Sequence, residues 1–448
     1  MTTTRRNAVK FIAGSAVGVM FTPAPWHFIR DTALWSENWP GIPEPKRGPV
    51  TFKTAQCTLC PGGCAVKARC VADRPVSLAG VDGGLCPLGV TGHHLPYHPR
   101  RLKNGPVEEA RAAVQSALTR GARPAVLDTR PGRPASEAYR KAMAERKGFY
   151  LAPPQPSVTV DLAAAKTVIS LGAPLFEGWL PPAKVWAARN GFRLVQIEPE
   201  LSRTAALADE WMPTCADVPA LARKYEAPVL VIDPAMSENT IALNRELGGW
   251  GKTVLPLDTP PVDVAPDGSI GLLYIDESGP GAYLPWPEIA PKLAPDAVVV
   301  ALTWWRDGYA RHTHLALPTA VYPEPDLMKP PEGTVDAAEF IVGQALPPAN
   351  PAAASGRTHP CSHGGLTVTT PLFTKLHQES GLLLAPGQVA LPPSSGFAAK
   401  DRAFLETSRG RLAVEVVIDA GIPPGHFDFV PTPELLDLGT ENLKVVRA

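Results

Sequence analysis

"CTLCPGGC", residues 57–64, read together with "GGLCPLG" around Cys86, decides the fold of the N-terminal part of this chain. The spacing is Cys-x2-Cys-x3-Cys-x21-Cys, and it takes four of the seven cysteines present. Two residues between Cys57 and Cys60 are too few for a comfortable disulfide. They do let two thiolates face one metal centre. Pro61, Gly62 and Gly63 let the loop turn tightly and point backbone N–H groups at the sulfurs. The fourth thiol has to arrive on another loop. "AVKARCVADRPVSLAG", Ala65 to Gly80, has the pattern of a hairpin with "ADRP" at its turn, which returns the chain so that Gly83-Gly84-Leu85-Cys86 closes the site. This pattern predicts a [4Fe–4S] cluster on Cys57, Cys60, Cys64 and Cys86. Structural zinc on the same four thiolates, and disulfides, are the competing readings. Cys70 shares a strand face with Val66 and Ala68 and is expected in the core, as are the isolated Cys215 and Cys361.

Upstream, "TTRRNAVKFIAGSAVGVMFTPAPW" places Arg5 and Arg6 before a short apolar run, Phe11 to Phe21, with Lys10 between. That is the layout of a twin-arginine export signal. The route carries folded proteins, which suits a cofactor inserted in the cytoplasm, and it implies a periplasmic location. Beyond this run no stretch of 18 uncharged apolar residues occurs, so no internal membrane span is expected. Lys plus Arg equals Asp plus Glu, at 43 each, which argues against a nucleic-acid binder. The 52 prolines, roughly twice the usual share, predict much irregular chain between short elements. No Gly-x-Gly-x-x-Gly follows a strand and no Gly-x-Ser-x-Gly elbow occurs, so neither NAD binding nor serine-hydrolase chemistry is supported.

The cysteine block behind an export signal resembles the molybdopterin oxidoreductase (dimethylsulfoxide reductase) superfamily. Shorter blocks agree: "YHPRRLKNGP" (97–106), "AAAKTVISLGAPLFEGW" (163–179), "RLVQIEPELSRTAALADEWMP" (193–213), "ALPTAVYPEPDLM" (316–328) and "FLETSRGRLAVEVVIDAGIPPGHFDF" (404–429). Within it, "TPAPWHFIRDTALWSENWPGIPEPKRGPV" with the cysteine block resembles the molybdopterin-like subunits of the menaquinone reductase complex and alternative complex III. The resemblance implies a subunit without molybdenum. Its partners would be a polyferredoxin-like iron–sulfur subunit, a multihaem cytochrome c and a membrane quinone-binding subunit.

Three departures from catalytic members of the superfamily underlie the expectation of no molybdenum. The basic residue they carry two places after the fourth cysteine is here Leu88. Between Pro106 and Ala163 no cysteine is available as a metal ligand; Ser136 is expected to N-cap a helix, and Asp128 ends the strand "PAVLD". The chain is also much shorter than a full catalytic member.

Helix-like and strand-like runs alternate from Val107 onward, as in a doubly wound parallel sheet. The expected fold is thus α/β. Residues 1–48 are the signal and an extended Pro/Trp-rich segment, and 49–106 a small iron–sulfur domain. Residues 107–345 form the α/β body and 346–448 a β-rich, barrel-like domain. The expected function is an iron–sulfur subunit of a membrane-associated quinone oxidoreductase complex, an electron relay or scaffold without a catalytic site of its own. A molybdopterin enzyme with a reduced pocket and a zinc-bearing scaffold are the alternatives. His93, His94 and His98 are expected to face water, and "HPCSH" (359–363) to lie in a solvated loop. Trp304, Trp305 and Tyr309, beside Arg306 and Arg311, suit an interface or the core equally.

Overall fold

The computed structural model describes residues 48–448 apart from 60–62, 73, 82–83, 154–157, 181, 200, 257–260, 280, 345–383, 386, 421, 423, 431 and 440–442. The export signal, Cys60, Cys361 and the 359–363 segment therefore lie outside the described residues.

Three antiparallel strands open the fold: β1 (Val50–Gln56), β2 (Ala65–Val71) and β3 (Arg74–Gly80), in the order β1-β2-β3. The expected hairpin is β2–β3, with Val66 opposite Gly80 and Val71 opposite Arg74. Val66, Ala68 and Cys70 alternate along β2 and are all fully buried, so one face of this sheet joins the core. β1 ends at Gln56 and β2 begins at Ala65, so their pairing turns residues 57–64 into a loop closed at its base. After β3, Cys86 leads directly into the short helix Pro87–Thr91, started by a proline whose fixed φ suits a first turn.

Two all-parallel sheets form the body. One has the order β14-β13-β12-β4-β5, built from β4 (Pro124–Asp128), β5 (Phe149–Leu151), β12 (Ile270–Glu277), β13 (Leu293–Thr303) and β14 (Leu315–Pro318). The other has the order β10-β7-β8-β9, built from β7 (Thr167–Leu171), β8 (Arg193–Ile197), β9 (Glu210–Met212) and β10 (Val229–Ile232). The strands "PAVLD" and "VLVI" are buried at every residue, as parallel strands covered on both faces must be. In each sheet the chain runs outward from one central strand and later returns on its other side. The direction reverses between β4 and β12 in the first sheet and between β7 and β10 in the second. A small antiparallel pair, β6 (Val158–Val160) with β11 (Val254–Pro256), flanks the second sheet.

The C-terminal unit is a mixed sheet, β18-β15-β17-β16-β19, made of β15 (Gln388–Leu391), β16 (Arg402–Thr407), β17 (Gly410–Ile418), β18 (Asp428–Phe429) and β19 (Lys444–Arg447). It is β-rich as expected. Among the described residues, however, it is an open sheet with β18 and β19 at its edges and not a closed barrel.

The helix after β4 also differs from expectation. It spans Pro134–Glu145, so Ser136 is its third residue and not its N-cap. The reason is Pro134, which is preset for the first helical position and starts the helix three residues early. Ser136 Oγ instead accepts the backbone N–H of Arg133 at 3.2 Å.

Candidate metal centre

The loop between β1 and β2 is pinned by its own backbone. Cys57 N–H donates to Cys64 O at 2.8 Å, and Gln56 Nε2 donates to Gly63 O at 3.3 Å. Cys57 is 4% and Cys86 7% exposed, and Cys64 is partly buried. Among the described residues, no disulfide joins Cys57, Cys64, Cys86, Cys70 or Cys215. Among the described residues, no three His, Cys, Asp or Glu side chains form a group that could hold a metal ion.

One side chain with all three thiols as electrostatic neighbours was not singled out from the sequence. Tyr322, 2% exposed, reaches the site from the segment that follows β14. Burial pushes its hydroxyl pKa far upward. The next causes are Cys57, by its charge and by a hydrogen bond, and then the charges of Cys86 and Cys64. One buried phenol thus has all three described cysteines of the motif as electrostatic neighbours. The ring is wedged where Gly92 has no side chain, since a Cβ there would lie 2.3 Å from Tyr322 Cε1.

Three further contacts fasten the N-terminal domain to the body. Gly84 lies so close to the helix Pro182–Ala188 that a Cβ on it would be 2.2 Å from Ala183 N. Arg130, 5% exposed, donates from Nη1 to Thr58 O at 2.9 Å and from Nη2 to Ser278 Oγ at 2.7 Å, which bridges the cysteine loop and β12. Burial, and then Arg133 beside it, push the Arg130 pKa down to about 10. Arg101 pairs with Glu324 at 2.5 Å, with side chains 2% and 1% exposed.

In open parallel sheets, ligands bind at the carboxyl ends of the strands where the order reverses. At both reversal points buried side chains bond across the strand ends. Between β4 and β12, Arg133 Nη2 donates to Asp128 Oδ1 at 3.0 Å and to Asp276 Oδ2 at 2.8 Å. Ser136 Oγ and Tyr150 Oη donate to Asp128 Oδ2 at 2.5 and 3.0 Å, and Tyr139 Oη donates to Asp276 Oδ2 at 2.7 Å. Ser136 and Asp128 are therefore hydrogen-bonded to each other. Between β7 and β10, fully buried Trp179 ends the π-helical turn Leu175–Trp179 and donates from Nε1 to Pro234 O at 3.0 Å.

The aromatic run after β13 is core. Trp304, Trp305 and Tyr309 are 1%, 8% and 0% exposed, and Trp304 and Trp305 stack 5.2 Å apart. His98 departs from the expectation of a solvated residue. It is buried edge-on to Trp304, and burial pushes its pKa down to about 4. Glu277, at the end of β12, accepts from Thr303 Oγ1 at 2.7 Å, Trp305 Nε1 at 3.0 Å and Tyr309 N at 3.1 Å. Burial nevertheless raises it from 4.5 to about 7. A raised carboxyl binds its proton more tightly in the folded chain, so this contribution is full below about pH 4.5 and is lost as pH climbs to about 7. Urea unfolding at pH 5 and pH 7.5 should show the wild type losing up to about 3 kcal/mol more than Glu277→Gln over that interval.

No protein-family profile matches the chain. It is 25% identical over 255 residues to the menaquinone reductase molybdopterin-binding-like subunit of Nitratidesulfovibrio vulgaris (strain Hildenborough). That alignment covers 47% of this chain and 37% of the relative, so the chain spans well under two thirds of its relative's length. In fold it is similar to acetylene hydratase from Pelobacter acetylenicus, with a TM-score of 0.53 at 12% identity over 85% of this chain and 93% of that one. The resemblance to the molybdopterin oxidoreductase superfamily, and within it to the menaquinone reductase subunit, is borne out by these two matches.

Proposed function

We propose that this relative of the menaquinone reductase subunit is the iron–sulfur subunit of a membrane-associated quinone oxidoreductase complex, placed in the periplasm and without a molybdenum site of its own. The coarser statement, a subunit of an oxidoreductase complex, rests on the sequence relative and the shared fold. No helix among the described residues is long and apolar enough to cross a membrane. The partners would be a polyferredoxin-like iron–sulfur protein, a multihaem cytochrome c and a quinone-binding membrane subunit.

The observation that supports the proposal is that the buried Tyr322 hydroxyl has Cys57, Cys64 and Cys86 as electrostatic neighbours, with no disulfide joining these three among the described residues. The donor set is all sulfur, which suits iron–sulfur binding, and Cys60 would complete it. When bound, the cluster supplies one-electron transfer. The chain's own part is to exclude water around Cys57 and Cys86, to aim the Cys57–Cys64 loop, and to brace it through Arg130 and Gly84.

Support for the lack of molybdenum comes from the filled crevices. A pterin nucleotide would need room at the β4/β12 or β7/β10 ends. Arg133 with its two aspartates occupies the first and Trp179 the second. Iron and acid-labile sulfide counting, with electron paramagnetic resonance of the reduced protein, tests the proposal. Four irons per chain with a low-temperature signal on reduction is the expected result. Molybdenum or tungsten near one atom per chain would make it a catalytic molybdopterin protein, and a colourless zinc protein would make it a scaffold.

A further inference from the structure

The three-stranded sheet beside the cysteine loops has an outer face. Pleating points Val66, Ala68 and Cys70 of β2 into the core with Cys57 and Cys86, and sends the residues between them the other way. Strand register sets the outward side chains in rows. Val50 stands opposite Val71, Phe52 opposite Arg69, and Thr54 opposite Lys67. β3 adds Ser77 beside Arg69 and Ala79 beside Lys67. Phe52 is 64% and Val50 50% exposed, on β1 at the edge of the sheet. The Lys67 ammonium lies 5.1 Å from the centre of the Phe52 ring. Single exposed apolar residues are ordinary, but here Val50, Phe52 and Val71 adjoin. The three strands contain no Asp or Glu. Residues 48–80 hold four Lys and Arg against one carboxylate, Asp73, in a chain that is neutral overall.

We propose that this face docks on an anionic lipid bilayer. The order of the rows selects that occupant. A protein–protein interface keeps its apolar residues at the centre and its charges at the rim. Here Val50, Val71 and Phe52 form one end of the face, and Arg69 and then Lys67 follow along β2. A bilayer has the same succession from within outward, acyl chains and then phosphates. Successive rows lie about 7 Å apart, which matches the roughly 5–10 Å depth that interfacial apolar side chains reach. Phe52 and Val50 enter the acyl boundary, and the guanidinium and ammonium groups meet the phosphates of acidic headgroups. Lysine is depleted in protein–protein interfaces and suits a headgroup layer, where its stem lies along apolar surface and its charge stays wet. Such attachment is peripheral and needs no spanning helix. It rests on the membrane-associated part of the proposed function and not on the cluster.

The test is flotation of the purified full-length chain with vesicles of phosphatidylcholine, alone or mixed equally with phosphatidylglycerol. Wild type is expected to bind the mixed vesicles more tightly than phosphatidylcholine alone. Phe52→Ser should weaken binding to the mixed vesicles roughly tenfold. The double variant Lys67→Gln/Arg69→Gln should weaken it about thirtyfold and flatten its salt dependence. Every variant carries the same residues 1–47, so a contribution from the export signal cancels in these ratios. The substituted side chains are exposed, and an unchanged melting temperature shows that each variant is folded. Wild type that does not prefer the mixed vesicles, or variants that bind them as wild type does, would overturn the proposal. So would variants that keep vesicle binding but shed a protein subunit from the purified complex, the mark of a protein interface. Iron counting separates this outcome from the cluster reading. A vesicle-bound chain without iron upholds the docking face and defeats the cluster, and an iron-loaded chain that ignores vesicles does the reverse.

Discussion

Cys86→Ala is expected to abolish the four-iron centre. Cys86 lies on a different loop from Cys57 and Cys64, and in the proposed cluster it would supply the fourth thiolate. Without its thiolate, three ligands at most remain, and the chain could keep no more than a three-iron remnant. Iron per chain should fall below four, and the absorbance near ~400 nm should collapse. Because ligand binding contributes to folding free energy, the melting temperature should drop as well. Cys70→Ala is the matched control. Cys70 is also fully buried, but on the core face of β2, and its loss should leave the iron count unchanged with a modest packing cost. Full iron in the Cys86 variant, or iron loss in the Cys70 variant, would show that the wrong thiols have been assigned.

The second large effect lies in the ion network that fills the β4/β12 crevice. Asp276→Ala should destabilise the chain by about 3–5 kcal/mol, because it leaves buried guanidinium groups short of a carboxylate. Asp276 is 1% exposed and accepts from Arg133, Tyr139 and Ser278. Burial alone would raise its pKa. Arg133 and then Arg130 outweigh burial and hold it well below the usual carboxylate range. A depressed carboxyl stabilises the fold above its unfolded-state pKa, and the contribution is lost as pH falls below about 4 through the folded-state value. Urea unfolding at pH 7 should therefore separate wild type and variant widely, and the gap should narrow as pH falls through 4 toward 2. A variant within about 1 kcal/mol of wild type at neutral pH would mean that the network is dispensable. Asp276→Asn, which keeps the shape and removes the charge, separates packing from electrostatics.

Those two sites differ in how far they could be seen in the linear chain. The cysteine spacing and the hairpin that returns Cys86 are set within thirty-odd residues. Loop length and strand alternation constrain such short-range features directly. The alternation of "PAVLD", "TVISLG", "RLVQIEP" and "PVLVID" with helical runs likewise announced parallel sheets, since β4, β7, β8 and β10 are buried along almost their whole length. Ser136 shows where local logic stopped. Serine before a helical run signals a cap, but the proline two places earlier takes the helix start, and Asp128 takes the hydroxyl. His98 shows the same limit, because a histidine after a loop looks solvated until Trp304 is packed against it.

By itself the linear chain determined which thiols are available, their spacing, and the repeated strand–helix pattern, because each depends on neighbours a few bonds to a few turns away. Only the folded chain decided that Tyr322 would stand over Cys57 and Gly89, that Arg130 would reach Thr58, and that Arg133 and Trp179 would occupy the two reversal points. Tyr322 and Gly89 lie 233 positions apart, and Arg133 and Asp276 lie 143 apart. No propensity or period links residues at such separations. They meet because the sheet containing β4 and β12 shares its buried core with the cysteine domain, and buried polar groups in that core bond to one another.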